Sequence, residues 1–230
     1  MNGRWVCLDV GETLIDESRI WGTWADELRI PRLTFFAALG AVIERGLDHR
    51  AVFELFGVDD WPMRVEAVES VHGGFQPEDL YPDALTALAA LRERGYAIAI
   101  TANQPAIRDE QLRALGVMVE VMAMSDAIGV AKPDPAFFSR TLELMGSPEP
   151  SQVAYVGDRL DNDVLPSLEA GMRAVWIRRG PWGVIQTPPP AGVAALVVDS
   201  LAELVQHVDE AWPDSGGPHP PAAHDEEAQT

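Results

Sequence analysis

Trp5-Val6-Cys7-Leu8-Asp9-Val10-Gly11-Glu12-Thr13 passes from an apolar run straight into an acidic, glycine-containing turn. The run reads as a short strand, which puts Asp9 at the carboxyl edge where open parallel sheets bind ligands. A carboxylate there suits a nucleophile or a metal ligand, and equally the cap of a tight turn. Working outward, Tyr96 to Ile100, Val153 to Val156, Ala174 to Ile177 and Leu196 to Val198 are further candidate strands. Helical patterns separate them: Pro82 opens one through Ala84, Leu85, Leu88 and Leu91, stopped by Gly95, and others run from about Pro105 to Leu115, Pro135 to Met145 and Leu201 to Ala211. Val119 to Met124 reads as a strand or as a loop. The alternation predicts an α/β fold built on a parallel sheet.

Between the first two strands, about Ile15 to Pro77, the chain is far longer than a crossover helix needs. Trp21, Trp24 and Leu28 repeat at helical spacing, as do Leu33, Phe36, Ala37, Leu39 and Ile43, and two more helical patterns follow at Ala51 to Phe56 and Pro62 to Val71. The expected organisation is a core of residues 1–14 and 78–212, a helical lid of 15–77 and a disordered tail of 213–230, whose proline-rich, acidic composition buries too little apolar surface to offset chain entropy.

The hydrophobic fraction of 47% and charged fraction of 23% are those of an ordinary globular protein. No apolar run approaches the ~20 residues of a membrane span, and the start lacks the pattern of a secretory signal, so a cytoplasmic enzyme is expected. Cys7, the single cysteine, rules out an intrachain disulfide and reads as a small buried hydrophobe. With 17 basic and 36 acidic residues the formal charge is −19, which disfavours nucleic acid and anionic membranes as partners. Nothing in the sequence speaks to oligomeric state. An anionic substrate would need a locally positive site, made by a metal ion, helix N-termini or a few cations. Lys132 is the only lysine; the other 16 cationic side chains among the 17 are arginine.

Asp158, Asp161 and Asp163 crowd the turn after the strand that ends at Val156. Carboxylates that close are costly unless water or a cation screens them, and Mg2+ suits the need because it takes one or two carboxylates and keeps several waters. The same residues also read as acidic groups at a helix N-terminus, favoured by the macrodipole.

Taken in order, the Trp5 to Thr13 segment, Ile98-Ala99-Ile100-Thr101, Ala131-Lys132-Pro133 and Val156-Gly157-Asp158-Arg159-Leu160-Asp161-Asn162-Asp163 resemble the haloacid dehalogenase-like (HAD) hydrolase superfamily. The resemblance implies a Rossmann-like open parallel sheet with an inserted small all-helical cap. It implies a phosphatase of a small phosphorylated metabolite: one Asp9 oxygen attacks phosphorus to form an aspartyl-phosphate and the other binds Mg2+. Thr101 and Lys132 then complete the catalytic set, while Thr101, Ala102, Asn103 and Lys132 bind substrate. The metal ligands are Asp9, the Gly11 carbonyl and Asp158, with Asp163 as a direct or outer partner that also orients Lys132. From the cap, Arg19, Arg32, Trp21 and Trp24 are expected to select the substrate.

One residue departs from the family pattern. Gly11 stands where phosphatases of this kind carry a second Asp, which protonates the leaving alcohol and later activates water. Glycine keeps the backbone carbonyl and loses the acid, a loss worth about 10²- to 10⁴-fold in rate. Glu12, Asp16 and His72 are the candidate replacements. Gly11 also admits two rival readings, a 2-haloacid dehalogenase, whose halide leaves without a proton, and a catalytically impaired phosphate-binding or regulatory protein. A phosphonate-cleaving relative would need a cap lysine, and this cap has none.

Overall fold

The computed structural model describes residues 3–213. β1 (Trp5–Leu8) leads into four inserted helices, α1 (Ser18–Glu27), α2 (Arg32–Glu44), α3 (Ala51–Leu55) and α4 (Trp61–His72). The core continues with α5 (Ala84–Glu93), β2 (Ala97–Ala102), α6 (Arg108–Ala114), β3 (Val121–Met124), α7 (Ser125–Ile128), α8 (Pro135–Leu144), β4 (Val153–Gly157), α9 (Leu165–Glu169), β5 (Arg173–Ile177), α10 (Gly180–Ile185), β6 (Leu196–Val198) and α11 (Leu201–His207). The strands form one parallel sheet in the order β3-β2-β1-β4-β5-β6. This is the α/β, Rossmann-like sheet with an inserted helical cap that the sequence predicts. Among the described residues no helix is long and apolar enough to cross a membrane. The tail expected at 213–230 lies outside the described residues from 214 onward.

β1 is central, pairing Trp5 with Ala97 on one side and with Val153 on the other. Chain order therefore runs outward in both directions from β1, and the crevice at such a reversal is where sheets of this type take ligands. Both faces of the strands are covered, which is why they read as continuous apolar runs. Val6, Leu8, Ile98 and Ile100 pack toward Leu88 and Leu91 of α5 and Leu204 of α11. Cys7, Ala99 and Tyr155 pack toward Phe137 and Phe138 of α8.

Several boundaries differ from the expectation for local reasons. Residues 105–107 form a turn, so α6 starts at Arg108, and the last helix tightens into a 3₁₀ turn from Val208 to Ala211. The ambiguous run near Val119 becomes edge strand β3, paired to β2 through Ala99 and Val121. Helix α10 was not anticipated, because its six residues carry two glycines and a proline. It drives Trp182 into the aromatic core of the cap, beside Trp24, Phe35 and Phe53.

Two ion pairs tie the cap to the core. Arg108 of α6, stacked 4.4 Å above the Phe75 ring, grips Glu69 of α4 at 2.7 Å. Arg19 donates to Asp79 Oδ1 at 2.8 Å and to Asp79 Oδ2, and also to the His72 and Gly74 carbonyls, so it clasps the two chain segments that connect cap and core. Asp79 further accepts from the Gln76 amide at 2.7 Å. Asp79→Ala should therefore leave the guanidinium and an amide without their acceptor and lower unfolding free energy by about 2–3 kcal/mol. Denaturant unfolding of Asp79→Ala, Arg19→Ala and the double variant should give strongly non-additive losses.

Candidate active site

Asp9 follows β1 directly, its amide bonded to the Val156 carbonyl at 2.9 Å, so the two central strands present their ends together. Lys132 reaches this edge from the loop after α7. Its Nζ lies 2.8 Å from Asp9 Oδ1 and 2.5 Å from Asp163 Oδ1, and its side chain is fully buried. Burial alone would strip the ammonium of its proton, but Asp163, Asp9 and the nearby Tyr155 hold its pKa well above the ordinary value. Asn103, just past β2, fixes the lysine's backbone in both directions: its Nδ2 donates to the Lys132 carbonyl and its Oδ1 accepts from the Lys132 amide, each at 2.8 Å.

Asp158 and Asp163 follow β4 through a π-type turn, Leu160–Val164. A Cβ on Gly157 would fall 2.3 Å from Asp163 Cγ, so only glycine lets the Asp163 side chain fold back against the strand end. There Asp163 takes Lys132 on Oδ1 and the Arg159 amide on Oδ2 at 3.0 Å. Asp158 is as deeply buried, yet its Oδ2 has no hydrogen-bond partner. Burial, then Asp163 and Asp9, push its pKa well above the carboxylate range. Burial likewise pushes Asp163 up to about 6, against the opposing pull of Lys132. Asp9, Asp158 and Asp163 each offer an oxygen within 4.8 Å of the others. With Asp163 already satisfied, the free donors are on Asp9 and Asp158, which matches the one or two carboxylates that Mg2+ takes. The residues present fit that ion, and its positive charge would relieve the repulsion that raises the Asp158 pKa.

A cavity of about 480 Å³ opens above the cluster, lined on the core side by Asp9, Gly11, Asn103, Lys132 and Asp158, and on the cap side by Ile20, Trp21, Trp24, His49 and Arg50, with Arg159 and Trp182 beside them. Of the expected cap residues, Trp21 and Trp24 reach it. Arg19 and Arg32 do not: Arg19 is held by Asp79 at the cap's attachment, and Arg32 pairs with Asp26 on the exposed surface. Each guanidinium is captured by a carboxylate, Arg19 by Asp79 and Arg32 by Asp26, each at 2.5 Å. Thr101 is also placed differently from the expectation. Its hydroxyl is buried beneath the site, 3.3 Å from Cys7 Sγ and 3.4 Å from the Thr141 hydroxyl, and neither it nor the buried Ala102 lines the cavity. Burial pushes the Cys7 thiol up to about 12, so it is inert there.

The most consequential residue that sequence reasoning missed is Glu17. Gly11 has no positive φ, so backbone strain does not explain the glycine. A Cβ built on it would instead lie 2.5 Å from Glu17 Oε1 and 2.8 Å from Glu17 Cδ. The space a Gly11 side chain would take is filled by the Glu17 carboxylate. Gln104 Nε2 holds that carboxylate at 3.0 Å, and the Trp21 indole N–H faces it without closing a hydrogen bond. Burial, then Glu12 and Asp9, push Glu17 up to about 7. Of the three anticipated replacements Glu12 lines the cavity and Asp16 and His72 do not, and each is already engaged. Glu12 binds the Tyr81 hydroxyl at 2.6 Å and the Glu17 amide at 3.0 Å, Asp16 accepts from the Ser18 amide at 2.8 Å, and His72 stands against Phe75 outside the cavity. Glu17 follows Gly11 at no regular spacing, across a turn in which Glu12 takes φ 52°, so no periodic signal points to it.

The model of the haloacid dehalogenase-like hydrolase family matches residues 4–171. A glyceraldehyde 3-phosphate phosphatase of Methanopyrus kandleri is 33% identical over 178 residues, 74% of this chain and 76% of that protein. A HAD phosphatase from Thermococcus onnurineus superposes with a TM-score of 0.60 at 25% identity, covering 89% of this chain and 97% of that one. A 2-haloacid dehalogenase from Pseudomonas syringae pv. Tomato superposes with a TM-score of 0.57 at 20% identity over 89% of this chain and 97% of that one, a likeness of fold alone.

Removing the lysine tests the electrostatics of the cluster without any metal. Folded-state carboxylate pKa values above the unfolded ones make the folded protein hold the extra protons, so stability falls as pH rises through that window, from 3.8 to about 6 for Asp163. Lys132→Met deletes the group that restrains this rise and extends the loss to higher pH. In EDTA, the variant should be close to wild type near pH 5 and less stable by roughly 3 kcal/mol or more near pH 8, read by denaturant unfolding at both pH values.

Proposed function

The chain belongs to the haloacid dehalogenase-like hydrolases, and on that premise we propose that it is a Mg2+-dependent phosphohydrolase of small phosphate esters, acting through Asp9 with Glu17 in place of the family's second aspartate. The observation that carries this reading is the Asp158 carboxylate, buried with an unpartnered oxygen beside Asp9 and the Lys132–Asp163 pair. Displacement of halide at carbon needs no such acidic cluster, whereas transfer of a phosphoryl group calls for positive charge gathered at one point.

The proposed roles follow from position. An Asp9 oxygen attacks phosphorus, forming an aspartyl-phosphate as the bond to the alcohol oxygen breaks. Lys132 stabilises the negative charge on Asp9 and the phosphoryl oxygens. Glu17 gives its proton to the departing alkoxide, then accepts one from the water that attacks phosphorus and frees Asp9. Its pKa near 7 suits a group that must both donate and accept near neutral pH. Asn103 keeps the lysine loop against the sheet edge. Mg2+, held by Asp9, the Gly11 carbonyl and Asp158, would supply further neutralisation of the phosphoryl charge. The phosphatase name of the Methanopyrus kandleri relative supports phosphoryl chemistry. Occupation of the Gly11 slot by Glu17 argues against the impaired reading.

Two experiments test this. Isothermal calorimetry should detect Mg2+ binding to wild type and none to Asp158→Asn; equal affinity removes the assignment, and release of chloride from 2-haloacids without phosphate-ester turnover would replace the reading by the dehalogenase one. Glu17→Gln should slow hydrolysis of an alkyl phosphate by about 10²- to 10⁴-fold and that of an acyl phosphate far less, since the poorer leaving group depends more on the proton. Gly11→Asp alone should give no gain, because its side chain collides with Glu17, whereas Gly11→Asp combined with Glu17→Ala should recover alkyl phosphate hydrolysis relative to Glu17→Ala. A double variant that folds, binds Mg2+ and recovers nothing would show that the Gly11 slot is not the site of proton transfer.

A further inference from the structure

Glu17 reaches the space beside Gly11 from a turn that is clamped at Glu12. Glu12 takes a left-handed φ of 52°, a conformation that costs a residue with a side chain and persists only where its surroundings enforce it. Both of its carboxylate oxygens are engaged: Oε1 accepts from the Glu17 amide at 3.0 Å and Oε2 from the Tyr81 hydroxyl at 2.6 Å. The residue is 4% exposed, and a Cβ on Gly180 would strike the carboxylate, so the space around it is shaped to hold it there. Tyr81 is fixed in turn. Its amide donates to the Leu14 carbonyl at 3.0 Å, and the Arg179 guanidinium lies 4.1 Å from its ring centroid. Arg179 donates to the Thr13 carbonyl at 3.0 Å and to Asp83 Oδ2 at 2.6 Å. The same Asp83 oxygen accepts from the Leu201 amide, at the start of α11, at 2.8 Å. A chain of contacts thus runs from the core helix α11 to the backbone of Glu17.

We infer that Tyr81 is a positioning residue for proton transfer, fixing through Glu12 the backbone from which the Glu17 carboxylate reaches the space beside Gly11; this rests on the phosphohydrolase reading above. Several rotatable bonds separate that carboxylate from its own backbone, so its place is set only when both ends of the side chain are held. Gln104 Nε2 holds the far end at 3.0 Å, and Glu12 holds the near end by the Glu17 amide. Tyr81 does not line the cavity, so it touches no substrate and acts only through what it holds. Phenylalanine at this position would keep the ring against Arg179 and take the donor from Glu12 Oε2. Glu12 lines the cavity, so its freed carboxylate would turn toward water there and slacken its grip on the Glu17 amide. A misplacement of about 1 Å is enough to cost on the order of 10²-fold in rate. The nucleophile is anchored separately, Asp9 by its amide on β4 and Lys132 by Asn103, so attack on phosphorus does not depend on this chain of contacts.

The test uses the full chain loaded with Mg2+. It compares acetyl phosphate, whose carboxylate leaves without a proton, with whichever alkyl phosphate wild type hydrolyses fastest in a panel of glycerol, sugar and amino-acid phosphates. Tyr81→Phe should lower kcat for the alkyl phosphate roughly 10-fold with KM unchanged, and kcat for acetyl phosphate far less. In the Glu17→Gln background it should cost alkyl phosphate hydrolysis nothing further, since the group it positions is already disabled. Glu12→Gly keeps the left-handed turn, which glycine adopts freely, and removes the clamp, so it should show the same split between the two compounds. If circular dichroism shows that Tyr81→Phe does not fold, Glu12→Gly carries the comparison. Equal losses on both compounds, a further loss of the same size in Glu17→Gln, or wild-type rates in the folded variants overturn the inference and leave the phosphohydrolase reading standing. Lack of turnover with every phosphate compound overturns that reading instead, and undiminished alkyl phosphate hydrolysis in Glu17→Gln overturns its assignment of Glu17. A crystal structure of Tyr81→Phe then decides the inference by itself: a Glu17 carboxylate still beside Gly11 and bonded to Gln104 sinks it.

Discussion

One buried ammonium keeps the ends of the central strands compatible with each other. β1 and β4 must lie side by side for the sheet to form, and each delivers a carboxylate to the same edge, Asp9 from one and Asp158 and Asp163 from the turn after the other. Without a counter-charge that edge would be held apart by repulsion in a poorly screened interior. Lys132 bridges the two strands through Asp9 and Asp163, and Asn103 anchors the lysine's own backbone to the end of β2. Three adjacent strands are thereby drawn to one point. The ammonium also lies 5.5 Å from the Tyr155 ring and 5.9 Å from the Phe137 ring, a compact point charge where arginine would bring a planar fork.

That arrangement also depends on two missing side chains. Gly157 lets Asp163 fold back onto the strand end, and Gly11 leaves the pocket that Glu17 fills. Neither glycine has a positive φ, so each is required by what occupies the neighbouring space and not by its own backbone. In both cases the group that moves in is a carboxylate, and in both its pKa rises, to about 6 for Asp163 and about 7 for Glu17. Close packing of acids at the ends of β1 and β4 thus makes proton-holding groups near neutrality as a direct consequence of the geometry.

How much of this could be read from the sequence follows from the range of the forces involved. The strands were legible because residues buried on both faces leave unbroken apolar runs, and the helices because their periodicity is local. The lone lysine and the aspartates after β4 were legible because type and order survive without coordinates. Arg19, Arg32 and Thr101 were misplaced because the partner of a long or polar side chain is set by tertiary neighbours: Asp79 lies sixty residues from Arg19, and Cys7 ninety-four from Thr101. Glu17 was invisible for the opposite reason. It is close to Gly11 in sequence, but only the left-handed turn at Glu12 folds it back into the vacated space. Helix α10, short and glycine-rich, offered no pattern, although it supplies a wall of the cavity.

On the proposed reading, in which Glu17 supplies the acid that Gly11 lacks, the cap controls more than access to the cavity. An acid on the catalytic turn would stay beside the nucleophile whatever the cap did. Glu17 is instead the residue immediately before α1, the first cap helix, and its partner Gln104 belongs to the core. Its placement over Gly11 therefore depends on how the cap is seated, which Arg19 and Arg108 fix from the two attachment points. The same cap helix carries Trp21 into the cavity wall and begins one residue after the carboxylate that fills the space beside Gly11. A proton donor at Glu17 would therefore share a structural element with the cap wall of the cavity, and a substrate held by that wall would tie specificity to turnover as well as to binding.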